Sequence, residues 1–515
     1  MTSPFETAIS ALEEALERSA HLRSWLRDRR WCGDSLGMRA DLAVKDRALL
    51  FESPTEALVL FMVVVREPQG SLPLHLPLSV STTRRDPQAF ELPAGRGRLY
   101  VAEAEGQPSY ARFVADGFRD QTKVRTVAGD TLQFRGTSFG AFQEMGPGVA
   151  GDTSNILVHI RTSRQDAVFK SYKFLDIGNR EPVILERLHR KRFPHVPPFF
   201  GELSLGREPD RLVLGVATAH VDAVDLFTWL TEGWHQALSE PTQPGRSAIE
   251  DAGIEAASDL GEATAALHEI LVDRHPGPFA MEPFRPDDAM AAYKVATANL
   301  GDALRRLGHL AKDPDRVRSD RAVGARQRVF DARRAIEHVL AGLEACVGTP
   351  KGVTHADLHL GQVLRRRDNG ALLFIDFEGE PERPPGQRSI PLPPLRDVGT
   401  MNRSFAYVRH YAWREFIRGD ASAALRLLSP AELSQEEAAV ANRLRGWERA
   451  AVERYTQQYL GRSSLYQELE PAEALRGIRG WMMEKALYEL RYELKHRPEN
   501  IFIPLEGVLS LAGAI

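Results

Sequence analysis

Apolar positions change their spacing along the chain, and each spacing predicts a different element. Between Pro4 and Arg30 the apolar residues Ile9, Leu12, Leu16, Leu22 and Leu26 recur near helical intervals, which predicts helix. Short apolar runs at 42–44, 49–51 and 58–65 then read as strands. The longest apolar run, 57–65 (ALVLFMVVV), falls far short of the roughly 20 residues that span a bilayer, so it predicts a buried strand. Residues 132–216 fit a small, mostly β lobe, with strands at 156–160 (ILVHI), 167–172 (AVFKSY) and 211–216. One helix, 182–191 (PVILERLHRK), sits among them. Helices dominate afterwards, at 226–230, at 254–271 with the stripe Leu260, Ala263, Leu267 and Leu271, and at 481–495. A single hairpin interrupts them: in VLRRRDNGALLFID, Asn369-Gly370 favours a tight turn between two apolar runs.

That hairpin carries the most informative chemistry. It folds back, so Asp357 and Asp376 can approach although nineteen positions separate them, with Gln362 between. Phosphoryl transfer needs such a set: one carboxylate orients the attacking hydroxyl, and another with an amide holds Mg²⁺ on the nucleotide. Taken alone, either aspartate reads as a turn residue capping backbone amides. The ordered set of His, Asp, Gln, hairpin and Asp-Phe-Glu favours the catalytic reading. His355 and His359 stand four apart, as in a zinc pair, but no Glu follows the first as in H-E-x-x-H and no third ligand is evident.

A kinase also needs a strand lysine on the α- and β-phosphates, held by a helix glutamate. Lys170, in the strand 167–172, and Glu186, in the helix 182–191, are the natural pair. Lys173 competes for the role; alternation along the strand lets only one of the two lysines face the cleft, and Lys170 is preferred. Ser154 and Asn155 link the glycine-rich stretch 146–151 to the next strand and would turn donors toward phosphates. Without a G-x-G-x-x-G or P-loop pattern, that segment reads equally as an ordinary hairpin turn. Ala219, His220 and Val221 would form a hinge whose backbone amide and carbonyl grip adenine.

Composition changes the picture little. A chain of 515 residues predicts two or three domains, and 43% hydrophobic with 26% charged residues is ordinary for a soluble globular protein. A net charge of −4 gives no whole-molecule attraction for nucleic acid or anionic membranes. The arginine-rich stretches 304–328 and 365–367 read as solvated surface, and the proline-rich 381–394 as an activation-segment loop. Cys32 and Cys346 cannot build a disulfide framework, and no secretory signal opens the chain, so a cytoplasmic location is expected.

Four blocks of residues together resemble the maltokinases, bacterial members of the aminoglycoside-phosphotransferase-like kinases. They are H-x-D-L-H-L-G-Q-V-L from His355, I-D-F-E-G-E-P from Ile375, P-L-R-D-V from Pro394 with M-x-R-S-F from Met401, and K-x-x-Y-x-x-x-Y at Lys485, Tyr488 and Tyr492 ahead of Arg497-Pro498 and residues 503–505 (IPL). A W-x-x-x-x-R-W element from Trp25 to Trp31 is similar to the opening of the family's N-terminal cap. One departure is His355-Ala356-Asp357 where such kinases usually read H-G-D. The resemblance implies an α+β, bilobal protein-kinase-like fold, with a cap at 1–115, a β-rich N-lobe at 116–218 and a largely helical C-lobe at 219–515. With the residues above it implies ATP and Mg²⁺ as cofactors. Asp357 would be catalytic; Lys170, Glu186, Ser154, Asn155, His220 and Val221 would serve the nucleotide; Gln362 and Asp376 would serve the metal.

Sugar contacts would fall at His355, His359, Glu378, Lys485, Tyr488 and Tyr492. On spacing alone, Lys485, Tyr488 and Tyr492 share one helical face and read as a core stripe with a snorkelling lysine; the resemblance turns that face toward a sugar. Maltose would become maltose 1-phosphate for α-glucan synthesis, with a trehalose-isomerising enzyme as an associate. The alternative is a glucosamine or related sugar kinase, which needs a further carboxylate for the amine, from Glu484, Glu489 or Glu493. A pseudokinase would lack one of Lys170, Asp357 or Asp376, and all three are present.

Overall fold

The computed structural model describes residues 5–32, 40–67, 70–94, 97–148, 154–176, 178–207, 211–239, 248–313, 315–380, 383, 388, 390–419, 426–428 and 432–515. They fall into two units, the first built from Met1–Arg190 and Pro197–Val221, the second from Lys191–Val196, Asp222–Arg383 and Arg388–Ile515.

The first unit opens with helices α1 (Glu6–Arg18) and α2 (Ala20–Arg27). The sequence predicts one helix here; Ser19 divides it, because its extended backbone leaves the helix and its hydroxyl accepts the Leu22 amide as an N-cap. Strands β1 (Asp41–Glu52), β2 (Glu56–Glu67), β3 (Gly70–Ser81), β4 (Phe90–Ala94) and β5 (Gly97–Glu103) form an antiparallel sheet in the order β1-β2-β3-β5-β4. The two short strands expected at 42–44 and 49–51 are one strand whose alternation two bulges break, at Val44/Asp46 and Leu49/Phe51. Each bulge shifts the period-2 pattern by one residue, which hides the strand's continuity from the sequence. Leu12, Leu16, Leu22 and Leu26 bury against Val59, Phe61, Val63, Leu76 and Leu78 of this sheet. The run 57–65 is thus an interior strand.

Helix α3 (Pro108–Asp120) follows, and the cap boundary expected at 115 falls inside it. The reason is packing: Phe118 lies 5.1 Å from Phe134 on the second sheet and Tyr110 lies 6.4 Å from Phe169, so both ends of the helix serve the same core. That second sheet comprises β6 (Lys123–Arg125), β7 (Thr131–Gly136), β8 (Phe142–Met145), β9 (Ile156–Thr162), β10 (Ala167–Ser171), β11 (Phe199–Leu205) and β12 (Leu212–Ala219), ordered β6-β7-β11-β12-β10-β9-β8. Helix α4 (Glu181–Arg190) leads from β10 toward β11. The two sheets are stitched by backbone bonds from His75 to Lys173 and from Leu175 to Pro73, each 2.8 Å, so cap and β lobe form one unit.

The second unit is mostly helical. A small sheet, β13 (Ala223–Asp225), β16 (Val363–Arg366) and β17 (Leu372–Phe374), contains the predicted hairpin; β14 (Glu282–Pro283) and β15 (Pro350–Lys351) form a separate short pair. Gly370 turns the hairpin at φ +74°, a conformation glycine reaches without penalty, and Asn369 caps the Ala371 amide. The helices are α5 (Leu226–Ser239), α6 (Ala248–Leu271), α7 (Pro286–Leu310), α8 (Arg316–Asp331), α9 (Arg333–Leu340), α10 (Leu395–Phe416), α11 (Gln435–Arg462), α12 (Pro471–His496) and α13 (Phe502–Leu511). Helices α10 and α12 approach closely because Gly399 has no side chain: a Cβ there would stand 2.9 Å from the Trp481 Cβ. Among the described residues, no helix is long and apolar enough to cross a membrane.

Candidate active site

The second unit holds Asp357 on a loop that neighbouring side chains fasten from behind. Asp397, near the start of α10, is fully buried and accepts the backbone amides of His355 (2.8 Å) and Ala356 (3.1 Å). Its other contact is the His268 Nε2 at 3.2 Å, and the Tyr459 hydroxyl meets the His268 Nδ1 at 2.9 Å. Burial alone would raise the Asp397 pKa, but the His268 hydrogen bond and nearby His355 and Arg396 outweigh it and hold the carboxyl below the usual range. Arg396 adds a bond to the Ala356 carbonyl at 3.0 Å. The loop is tightly curved, with Ala356 at φ +68° and, two residues past the end of β17, Asp376 at φ +64°. Both lie in the left-handed region that non-glycine residues seldom adopt, a feature that clusters at functional sites.

His355 does not reach a sugar. It is fully buried, and its Nε2 donates to the Ile375 carbonyl at 2.9 Å, so it braces the catalytic loop against the segment that carries Asp376. The sequence shows a histidine beside an aspartate; it does not show that the ring points into the core. His359 is half-buried, its Nδ1 accepts the Gly361 amide at 3.1 Å, and burial lowers its pKa although Asp357 and Asp376 both pull it up. The same imidazole therefore feels both carboxylates. Gln362 donates to the Asp376 Oδ2 at 2.9 Å, so the amide and carboxylate expected at the metal are in contact. Their hard oxygens suit Mg²⁺. Glu378 lies half-buried two residues beyond.

Helix α12 supplies the other wall. Lys485 Nζ stands 3.1 Å from the Asp357 Oδ1 and 2.7 Å from the Glu380 Oε1. Burial opposes its charge, yet Glu380 and Asp357 raise its pKa well above that of a free lysine. Glu380, missed by sequence reasoning, is fully buried among Lys485, Arg396 at 2.7 Å and Arg383 at 2.5 Å. Those three cations overcome desolvation and push its carboxyl far below the usual range. Tyr488 lies under Lys485 at 4.6 Å, and its ring runs near-parallel to Tyr492 at 6.2 Å and 19°. Lys485, Tyr488 and Tyr492 thus share one face, as their spacing predicts.

In the first unit, Lys170 Nζ pairs with Glu181, not Glu186, at 2.9 Å. Glu181 is the first residue of α4, buried, and also accepts the Tyr172 hydroxyl at 2.6 Å. Glu186 follows five residues later, about 140° around a helix of 3.6 residues per turn, and faces solvent beside Arg190 at 3.7 Å. Lys173 is sealed in the interior, bonded to Glu105 at 2.8 Å and set over the Trp31 ring at 4.8 Å. Its place in the core leaves Lys170 as the lysine of this strand with partial exposure. Asn155 is buried too, and its Oδ1 accepts the Lys173 amide at 3.2 Å, so it braces the fold instead of facing phosphates. Ser154 is exposed; the adjacent stretch 149–153, like most of the proline-rich 381–389, lies outside the described residues. The His220 amide donates to the Asp166 carbonyl at 2.9 Å and its ring stacks on His159 at 3.9 Å, which removes that amide as an adenine donor. Val221, half-buried, follows it.

No protein-family model matches the chain. Curated relatives do, among them a protein named glucosamine kinase from Mycolicibacterium smegmatis, 28% identical over 325 residues, 63% of this chain and 69% of the relative. Another of the same name from Streptacidiphilus jiangxiensis is 28% identical over 222 residues, 43% of this chain and 44% of the relative. Among solved structures, a glucosamine kinase aligns over 97% of this chain and 99% of its own with a TM-score of 0.64 at 19% identity. The chain has a bilobal kinase fold. A further glucosamine kinase structure, in complex with glucosamine, ADP and inorganic phosphate, aligns over 96% of this chain and 99% of its own with a TM-score of 0.60 and 19% identity. The expected α+β kinase architecture with an extra N-terminal portion is therefore correct, while maltokinase is a finer assignment than these likenesses reach.

Proposed function

We propose that the chain transfers the γ-phosphoryl group of ATP to a hydroxyl of a sugar. The observation that carries this reading is the loop held by Asp397, which sets Asp357 beside Lys485, together with the direct contact of Gln362 and Asp376. Asp357 orients the acceptor hydroxyl and takes its proton as the oxygen attacks phosphorus; ADP departs with the electron pair of the broken bond. Mg²⁺ held by Gln362 and Asp376 would supply charge compensation, and Lys170, held by Glu181, would serve the nucleotide phosphates. Dependence on ATP accords with a cytoplasmic setting.

The relatives' names favour glucosamine as acceptor. A neutral sugar such as maltose is favoured by a different observation: the carboxylates that the sequence offers for an ammonium are all paired with arginine. Lys485 faces Asp357 directly, and each carboxylate that could hold an ammonium is engaged, Glu484 by Arg383 at 3.3 Å, Glu489 by Arg403 at 2.8 Å and Glu493 by Arg497 at 3.1 Å. An ADP-release assay with glucosamine, maltose and glucose separates the two readings. Turnover with glucosamine alone removes maltose; turnover with maltose alone removes glucosamine; turnover with none of these, nor any other sugar, removes the kinase reading.

A further inference from the structure

The first unit contains a cleft of about 640 Å³, within the range of small-molecule sites. It opens between the cap sheet and the start of β9, and is lined by Arg30, Trp31, Arg85, Glu103, Gln107 and the segment Asn155 to Leu157. None of these residues serves the phosphoryl transfer derived above.

Its charges of both signs already have partners. Arg30 and Arg85 stand against Asp86, Glu103 and Glu105 on the same lining. Arg85 is bonded to Glu56 at 2.7 Å, the Trp31 indole N–H donates to Glu103, and buried Glu105 at the floor is bonded to Lys173 at 2.8 Å. A bare ion of either sign therefore meets side chains of both signs that are already engaged. A neutral polyol does not, because each hydroxyl both donates and accepts and can bridge a guanidinium to a carboxylate. Met145, Ile156 and Leu157 offer apolar surface of the kind that covers the C–H faces of a sugar ring. We propose that this cleft is a second small-molecule site, distinct from the acceptor site, that binds a neutral mono- or disaccharide. Leu157 is the direct cross-strand partner of Lys170, so an occupant would press on the strand that carries the nucleotide lysine. That coupling rests on the kinase reading; the binding itself does not.

Gly106 gives a clean test. It lines the cleft, and a Cβ built on it meets no atom within 4 Å, so the side chain of Gly106→Phe starts in open space beside the cleft. Calorimetric titration of the full chain with glucose or maltose should show one site more than the same titration of the Gly106→Phe variant. Arg30 is exposed, so Arg30→Ala leaves the fold intact; it should weaken the second site about tenfold, the cost of a hydrogen bond to a charged group, and leave the first unchanged. An equal number of sites in the parent chain and in Gly106→Phe, or Arg30→Ala without effect on any site, would each overturn the proposal. So would a second site that takes only glucosamine or only glucose 1-phosphate, or one from which ADP displaces the sugar, which would assign the cleft to the nucleotide.

Discussion

Asp357 is positioned by its surroundings: Lys485 holds its side chain at 3.1 Å, and Asp397 holds the amides of the two residues before it. On the proposed role of Asp357, Asp357→Ala removes the proton acceptor and leaves Lys170 in place, so kcat should fall roughly 10²- to 10⁴-fold while ATP affinity persists. Steady-state rates with calorimetry of ATP binding check this, and unchanged turnover would refute the assignment. Ala356, one residue earlier, shows why a position usually held by glycine accepts a methyl group. Its left-handed backbone costs about 1–2 kcal/mol. Glycine would relieve that cost but lose about 0.8 kcal/mol of buried methyl and about 0.4–1 kcal/mol through greater freedom of the unfolded chain. The terms nearly cancel, so Ala356→Gly should leave the urea midpoint almost unmoved. Ala356→Val places a β-branched side chain at positive φ, where it is a genuine outlier, and should be clearly destabilising. A Val variant as stable as the parent would show that the loop does not hold this conformation.

At the scale of elements, the periodic patterns were readable and the partners across space were not. Residues 57–65 form a buried strand and Asn369-Gly370 turns a hairpin because both signals are local. The nucleotide-lysine partner is not local. Glu186 sits mid-helix and looks the better candidate in sequence, but Glu181, at the first turn of α4, has its side chain beside Lys170. Which of two glutamates faces a strand depends on how the helix is rotated, and spacing alone does not set that rotation. Glu181→Gln should raise the ATP KM about tenfold, the scale of a lost charged hydrogen bond, whereas Glu186→Gln should leave it unchanged. The reverse result would return the role to Glu186. Glu380 escaped for a similar reason: I-D-F-E-G-E shows it as one of two acidic residues after Asp376, and only folding surrounds it with Lys485, Arg383 and Arg396.

Across the whole molecule, stability should depend on pH through histidines that fold into neutral surroundings. His75 in the first unit is buried and its pKa falls from 6.5 to about 3, chiefly by desolvation and then by Lys173. His410 in the second falls from 6.5 to about 4, again by burial first and then by Arg409, although Glu506 at 2.9 Å pulls the other way. Between pH 6.5 and these folded values the unfolded chain carries protons that the folded chain does not. Stability is therefore complete above pH 6.5 and is lost as pH falls, by about 1.4 kcal/mol per pH unit for each histidine. Glu380 and Glu506, whose cationic neighbours hold them below the usual carboxylate range, add to the loss once the pH passes below 4.5. Urea melts at pH 7, 5.5 and 4.5 should give steadily lower midpoints. His75→Gln keeps a donor for the Tyr172 carbonyl that His75 contacts at 2.8 Å but cannot take up a proton, so it should flatten the acid slope by one histidine's share. A parent chain whose midpoint stays level from pH 6.5 to 5 would mean that these histidines are charged in the folded protein, and the neutral interiors inferred for both units would be wrong.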